Sequence, residues 1–289
     1  MKNGRSQLIL SSLSGLPLLI GSVFALLVLD SSTIGNIISN SQGYNPAEII
    51  VQSIISIVLG MLVVFSLFQL IQRRGRRARK LVIAFLISPI LYFVSVFIGE
   101  AFLLILFKGS RNVFQGFILI LSLAVSMLSL VMIVMDAIPT SVKNIFVAFY
   151  GSIFGIFLGI TMVTPTMFVV VISLIVEDYL LTRHSPIADE AMMAGRIGED
   201  PFDYTRIQSE SVSIGVGDYI AYALISAHAF VFLPFHVWAM SMLLASAGVV
   251  VNVFVLAEED NPLPAIPLPA TLALIPWIVH IVALSAMAV

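Results

Sequence analysis

Apolar residues in this chain are gathered into long runs instead of alternating with polar ones. Crossing the hydrocarbon core of a bilayer takes about 20 consecutive apolar residues. Nine runs approach or exceed that length: 8–29, 48–71, 81–107, 113–135, 145–162, 165–182, 213–233, 236–256 and 266–287. The fifth and sixth are the shortest and meet at Thr164-Pro165-Thr166, a pattern that suits a tight turn and a helix start. Read as one broken helix, 145–182 would be too long for a single crossing. The first run is too long for a signal-peptide core and has no clear small-residue cleavage site after it, so it is expected to be an uncleaved span.

Composition agrees with this pattern. The chain is 60% hydrophobic and 10% charged, and its mean hydropathy is +1.09. Soluble domains carry about 25% charged residues. The expected fold is therefore an all-α integral membrane protein with nine transmembrane helices, multi-pass in the cell membrane. No polar stretch is long enough to form a separate soluble domain. Helices 1–6 fall within 1–182, a cytoplasmic loop within 183–212, and helices 7–9 within 213–289, all in one membrane-embedded domain. The chain has no cysteine, which excludes disulfides and thiolate chemistry. His184, His228, His236 and His280 lack metal-ligand spacing. No metal and no cofactor are expected.

Charge placement sets the orientation. The strongest signal is Gln72-Arg73-Arg74-Gly75-Arg76-Arg77-Ala78-Arg79-Lys80, read as a loop between the second and third spans. Basic residues favour the cytoplasmic side. Placing this loop there puts the N-terminus inside and, with nine spans, the C-terminus outside. Twelve of the fourteen Lys and Arg residues then lie inside; Lys108 and Arg111 lie outside. The basic loop serves as a topology signal, so no nucleic-acid partner is implied. The loop 183–212 holds six acids, and Pro186, Gly195, Gly198 and Pro201 disfavour a long helix. It reads as a flexible gate or a solvated linker. It has no long apolar plug, and autocleavage cannot be read from it.

An ionisable side chain in an apolar span is costly and marks function by default. Asp178 lies near the cytoplasmic end of the sixth span, roughly 6 Å deep at 1.5 Å per residue. Asp218 lies near the cytoplasmic start of the seventh, roughly 7.5 Å deep. The two acids thus share a depth on adjacent antiparallel helices. Two close carboxylates in a low-dielectric site cannot both ionise, and they titrate as a unit. The ionised member can take a proton from water while the protonated one polarises a carbonyl. Gly215 and Gly217 before Asp218 would let another backbone approach closely, although small residues in membrane helices commonly serve helix packing. Glu177 sits about 100° from Asp178 around the helix, so both cannot face Asp218. Asp178 is the expected partner, with Glu177 turned to the loop or towards Arg183 as a modulator. Glu100, Asp136, His228 and His280 carry no expected chemistry.

At these residues the chain resembles the presenilin and signal peptide peptidase family of intramembrane aspartyl proteases. Gly215-Val216-Gly217-Asp218-Tyr219-Ile220-Ala221-Tyr222 is similar to the Gly-x-Gly-Asp motif in its presenilin form. Ile225-Ser226-Ala227-His228-Ala229-Phe230 is similar to archaeal presenilin homologues. The family carries Tyr-Asp in its sixth helix, where this chain has Glu177-Asp178. Its Pro-Ala-Leu motif would map to Pro267-Leu268-Pro269 or to Pro269-Ala270-Thr271, neither of which ends in Leu. The resemblance implies nine helices and catalysis by Asp178 and Asp218. It also implies an active site shaped by Gly215, Gly217, Tyr219, Pro267, Leu268 and Pro269. Substrates would be single-pass transmembrane proteins in the lipid bilayer; accessory subunits are not legible. The alternative is a secondary transporter or proton- or cation-conducting protein using the same acids. The absence of an internal repeat, and the position of both acids near one face, weigh against it.

Overall fold

The computed structural model describes residues 4–28, 46–107, 114–184, 201–209, 212–256 and 263–287. These form helices α1 (Gly4–Val28), α2 (Pro46–Phe107), α3 (Phe114–Met135), α4 (Thr140–Thr161), α5 (Thr164–His184), α6 (Val216–Phe232), α7 (Phe235–Val251) and α8 (Pro267–Met287). A π-helical turn, Asn252–Leu256, continues α7. Seven helical segments among the described residues are long and apolar enough to cross a membrane: Ala47–Leu67, Arg79–Leu103, Phe114–Met135, Val142–Thr161, Thr164–Arg183, Phe235–Leu256 and Pro267–Ala286. Two more, Ser11–Leu26 and Val216–Phe232, are apolar but shorter. Outward faces such as Leu119, Ile120, Leu123 and Leu128 are exposed, as a lipid-facing surface requires.

Two expectations are revised here. The basic stretch 72–80, expected as a loop, is helical within α2. Arg, Gln, Lys and Ala are strong helix formers, and only Gly75 interrupts them. The chain before Asp218 is also not a plain linker. A 3-10 turn, Pro201–Tyr204, leads to β1 (Arg206–Ser209), which pairs antiparallel with β2 (Val212–Gly215). The helix carrying Asp218 therefore starts at Val216, not 213. Gate behaviour in the middle of that loop, and residues such as Arg196, Met192 and Met193, lie outside the described residues.

Alternating packing directions run through the bundle. Ser126 Oγ on α3 donates to the Ser88 carbonyl at 2.7 Å, and Gly99 faces Ile118, so this part of α2 and α3 are antiparallel. Gly151, Gly155 and Gly159 recur every four residues along α4. They face Val216, Ile220 and Leu224 in turn, so α4 and α6 run parallel. A Cβ on Gly159 would fall 2.5 Å from the Leu224 carbonyl oxygen. Backbone contact this close is what small residues provide in membrane bundles. His228 locks the same region: Nδ1 meets the Gly159 carbonyl at 2.8 Å and Nε2 meets Thr164 Oγ1 at 3.1 Å. It is fully buried against Phe232 and Trp277. Its role is packing, as the sequence suggested.

Candidate active site

α5 turns different residues towards different neighbours. Phe168 packs edge-on against Trp277 of α8, and Ser173 Oγ donates to the Ser53 carbonyl of α2 at 3.5 Å. One turn further on, the helix carries two adjacent acids, and the 100° step between them decides their fates. Glu177 faces Gly60 of α2 so closely that a Cβ there would fall 2.7 Å from the carboxyl carbon. It thus lies against the second apolar segment, neither towards the loop nor on Arg183. Beside it runs a groove of about 670 Å³ lined also by Gln52, Ile55, Ser56, Leu59, Val63 and Val64.

Asp178 faces the other way, towards α6 and the start of α8. Its Oδ2 accepts the Ile266 N–H at 3.0 Å, and its Oδ1 accepts from Thr182 Oγ1 at 3.4 Å. Ile266 is the last residue before α8, which opens on Pro267. Proline suits the first helical position because its missing N–H would be unpaired there. The preceding N–H groups stay free to point at a carboxylate. The peptide before Ile266 is held from two sides. The Ala265 carbonyl accepts the Tyr222 hydroxyl at 2.7 Å and Asn252 Nδ2 at 2.9 Å.

Asp218 occupies the first turn of α6, whose N-cap is Gly215. As the third helical residue it lies over Gly215, where an added Cβ would fall 3.8 Å from its Oδ2. The helix dipole favours negative charge at this end. Asp178 lies within electrostatic range of Asp218, and Tyr222 is within range of both. The pair is thus brought together, and both acids are half-buried.

The surrounding residues divide by role. A Cβ on Gly217 would meet nothing within 4 Å, and one on Gly215 would touch only Asp218 and Gly217, at 3.8 Å or more. Among the described residues, nothing lies close above Gly217. Tyr219 points away, fully buried, and its hydroxyl donates to the Leu13 carbonyl at 2.8 Å. Pro269 lies against Gly248 of α7, where an added Cβ would fall 2.7 Å from its Cα. Pro267 and Leu268 start α8 and are half-buried. From this stretch the contact to Asp178 comes from the Ile266 N–H, and Ala265 before it anchors the peptide through its carbonyl, both just before the proline motif. Sequence reasoning missed these two, together with Tyr222 and Asn252. An intramembrane Asn near the π-helical turn was the one available signal.

A second polar cluster lies where α3 meets α4, with Asp136 and Tyr204 outside the candidate spans and Lys80 and Lys143 in the first turns of theirs. Asp136 has φ 52°, a left-handed conformation that Asp tolerates better than most residues. Its carboxylate accepts Lys143 Nζ at 2.9 Å and the Tyr204 hydroxyl at 2.8 Å, and Lys80 Nζ lies at 3.7 Å. Burial opposes ionisation of Asp136, but these donors and charges outweigh it and hold the carboxyl below the ordinary aspartate value. Burial, with Asp136 beside it, raises the Tyr204 phenol.

Among known proteins, no family model and no curated protein matches the chain.

Proposed function

We propose that the protein is an intramembrane aspartyl endopeptidase that crosses the membrane nine times, with its N-terminus in the cytoplasm. What supports this is that Asp178 of α5 and Asp218 of α6 lie within electrostatic range of each other, while Thr164 of α5 and His228 of α6 meet towards the opposite ends of the two helices. The resemblance of Gly215–Tyr222 to the presenilin motif supports the same reading. The two shorter apolar helices join the seven longer segments to make nine crossings.

In this reading one carboxylate takes a proton from a water held between the acids, and the water oxygen attacks the scissile carbonyl carbon. The other carboxyl gives its proton to the carbonyl oxygen. The tetrahedral diol collapses as the C–N bond breaks. The leaving nitrogen takes a proton from the first acid while a diol hydroxyl returns its proton to the second, giving a new carboxyl end and a new amino end and restoring both acids. Helical carbonyls are shielded, so the substrate must unwind first. The unwound segment pairs with the edge of β2 opposite β1 and runs over Gly217, where no described residue would lie within 4 Å of an added Cβ. An N-inside orientation favours substrates whose own N-terminus lies outside.

The test is to incubate the purified chain in detergent with a single-pass substrate and identify new termini by mass spectrometry. Cleavage within the apolar segment supports the proposal. No cleavage, together with proton-coupled uptake in liposomes, supports the transporter reading instead.

A further inference from the structure

The cluster around Asp136 takes no part in the chemistry above, yet it joins four elements of the fold. Asp136 follows α3, Lys143 belongs to α4, Lys80 to α2, and Tyr204 closes the 3-10 turn before β1. Lys143 has only 3% of its side chain exposed, and its Nζ sits 4.5 Å above the Tyr204 ring. Tyr204 is itself buried, and its carbonyl accepts the Tyr150 hydroxyl of α4 at 2.7 Å. A buried lysine on a carboxylate that also takes a tyrosine hydroxyl is a satisfied network, which rigidifies what it joins.

What it joins is the support of Asp218. From Tyr204 the chain passes through β1 and β2, whose register pairs Arg206 with Gly215. The Val216 N–H donates to the Thr205 carbonyl at 2.8 Å, tying the first residue of α6 to the residue after Tyr204. Arg206 is braced by Asp203 at 3.0 Å. Gly215 is the N-cap beneath Asp218, whose Oδ2 would lie 3.8 Å from a Cβ added there. A short path of hydrogen bonds and strand pairing thus runs from the Asp136 carboxylate through Tyr204 to Gly215 and Val216, the backbone on which Asp218 sits.

We infer that Asp136 is a positioning residue: with Lys143 and Tyr204 it latches the 201–215 segment to the ends of α3 and α4 and so holds Asp218 in register with Asp178. This rests on the peptidase reading only for its consequence in catalysis. The latch itself is a structural claim about the hairpin.

Three substitutions separate the possibilities. Asp136→Gly removes the carboxylate yet accepts the left-handed backbone. Asp136→Asn keeps that backbone and an acceptor for Tyr204 while losing the charge. Tyr204→Phe removes one hydroxyl. Hydrogen exchange is followed across 201–218, and kcat and KM are measured on a single-pass substrate. Asp136→Gly and Tyr204→Phe are expected to speed exchange in 204–218 while α8 stays unchanged. They should lower kcat roughly ten- to hundredfold, as small misplacements of a catalytic group do, with KM held, and Asp136→Asn should recover part of the loss. Unchanged exchange in 204–218 in Asp136→Gly overturns the latch whether or not the protein cleaves peptides. Faster exchange with unchanged kcat overturns the positioning role. An inactive wild type contradicts the peptidase reading, leaving the latch to be decided by the exchange data.

Discussion

The Ile266 backbone N–H donates to Oδ2 of Asp178 at 3.0 Å, across 88 residues of chain. The proline-rich start of α8 is thereby tied to one half of the acid pair through its main chain. Ile266→Pro removes that donor together with a buried core side chain, and Ile266→Ala, which also loses the side chain but keeps the N–H, separates the two effects. A hydrogen bond to a charged group contributes about 1.5–3 kcal/mol. Ile266→Pro is expected to lower kcat by roughly 10–100-fold, and Ile266→Ala, which keeps the N–H, much less. Steady-state kinetics on one peptide substrate compares the two.

Glu177 and Asp178 are adjacent acids with different surroundings. Since Glu177 packs on Gly60 of α2, Glu177→Gln should retain most cleavage activity, whereas Asp178→Asn should retain none. Equal losses in a side-by-side assay would show that the roles of the two acids are shared.

Glycines on α4 and α6 answer to different constraints. Gly155 and Gly159 lie against the α6 backbone, so Ala at either forces the helices apart, at a cost of about 1–3 kcal/mol for overpacking. Their melting temperatures in detergent should fall. Among the described residues nothing would lie within 4 Å of a Cβ on Gly217, so Gly217→Ala should melt like the wild type. Its cleavage rate should nonetheless drop if a substrate backbone occupies that space.

Asp136 links stability to pH. Its folded-state pKa is lowered by Lys143, Tyr204 and Lys80 against the effect of burial. A lowered value means that the stabilisation is present above the unfolded-state pKa and is lost as pH falls through the folded one. The gap in melting temperature between wild type and Asp136→Asn should be constant near neutrality. It should narrow as pH drops below about 4. Thermal melts between pH 3 and 7 measure it.

Much of this arrangement is legible in the sequence, because lipid demands long apolar runs and makes each acid within them conspicuous. The apolar segments follow from spacing alone, and the same spacing predicts a shared depth for Asp178 and Asp218. The helical state of 72–80 does not, since Lys and Arg mark a membrane side without fixing a backbone conformation. Ile266 leaves no trace because its contribution is a backbone N–H that any residue but proline would offer. The Asp136–Tyr204 contact joins residues 68 apart through a turn that local pattern reads as linker. The Gly151-Gly155-Gly159 repeat is the opposite case: its four-residue period is plain in the sequence, and what the structure adds is the helix it faces.

The most direct measurement is cleavage of a single-pass substrate by the wild type, Asp178→Asn, Asp218→Asn and the double variant. Catalysis by the pair predicts that each single change abolishes cleavage and that the double change costs no more than either alone, since groups acting as one unit are not additive. Cleavage persisting in either single variant would contradict the assignment.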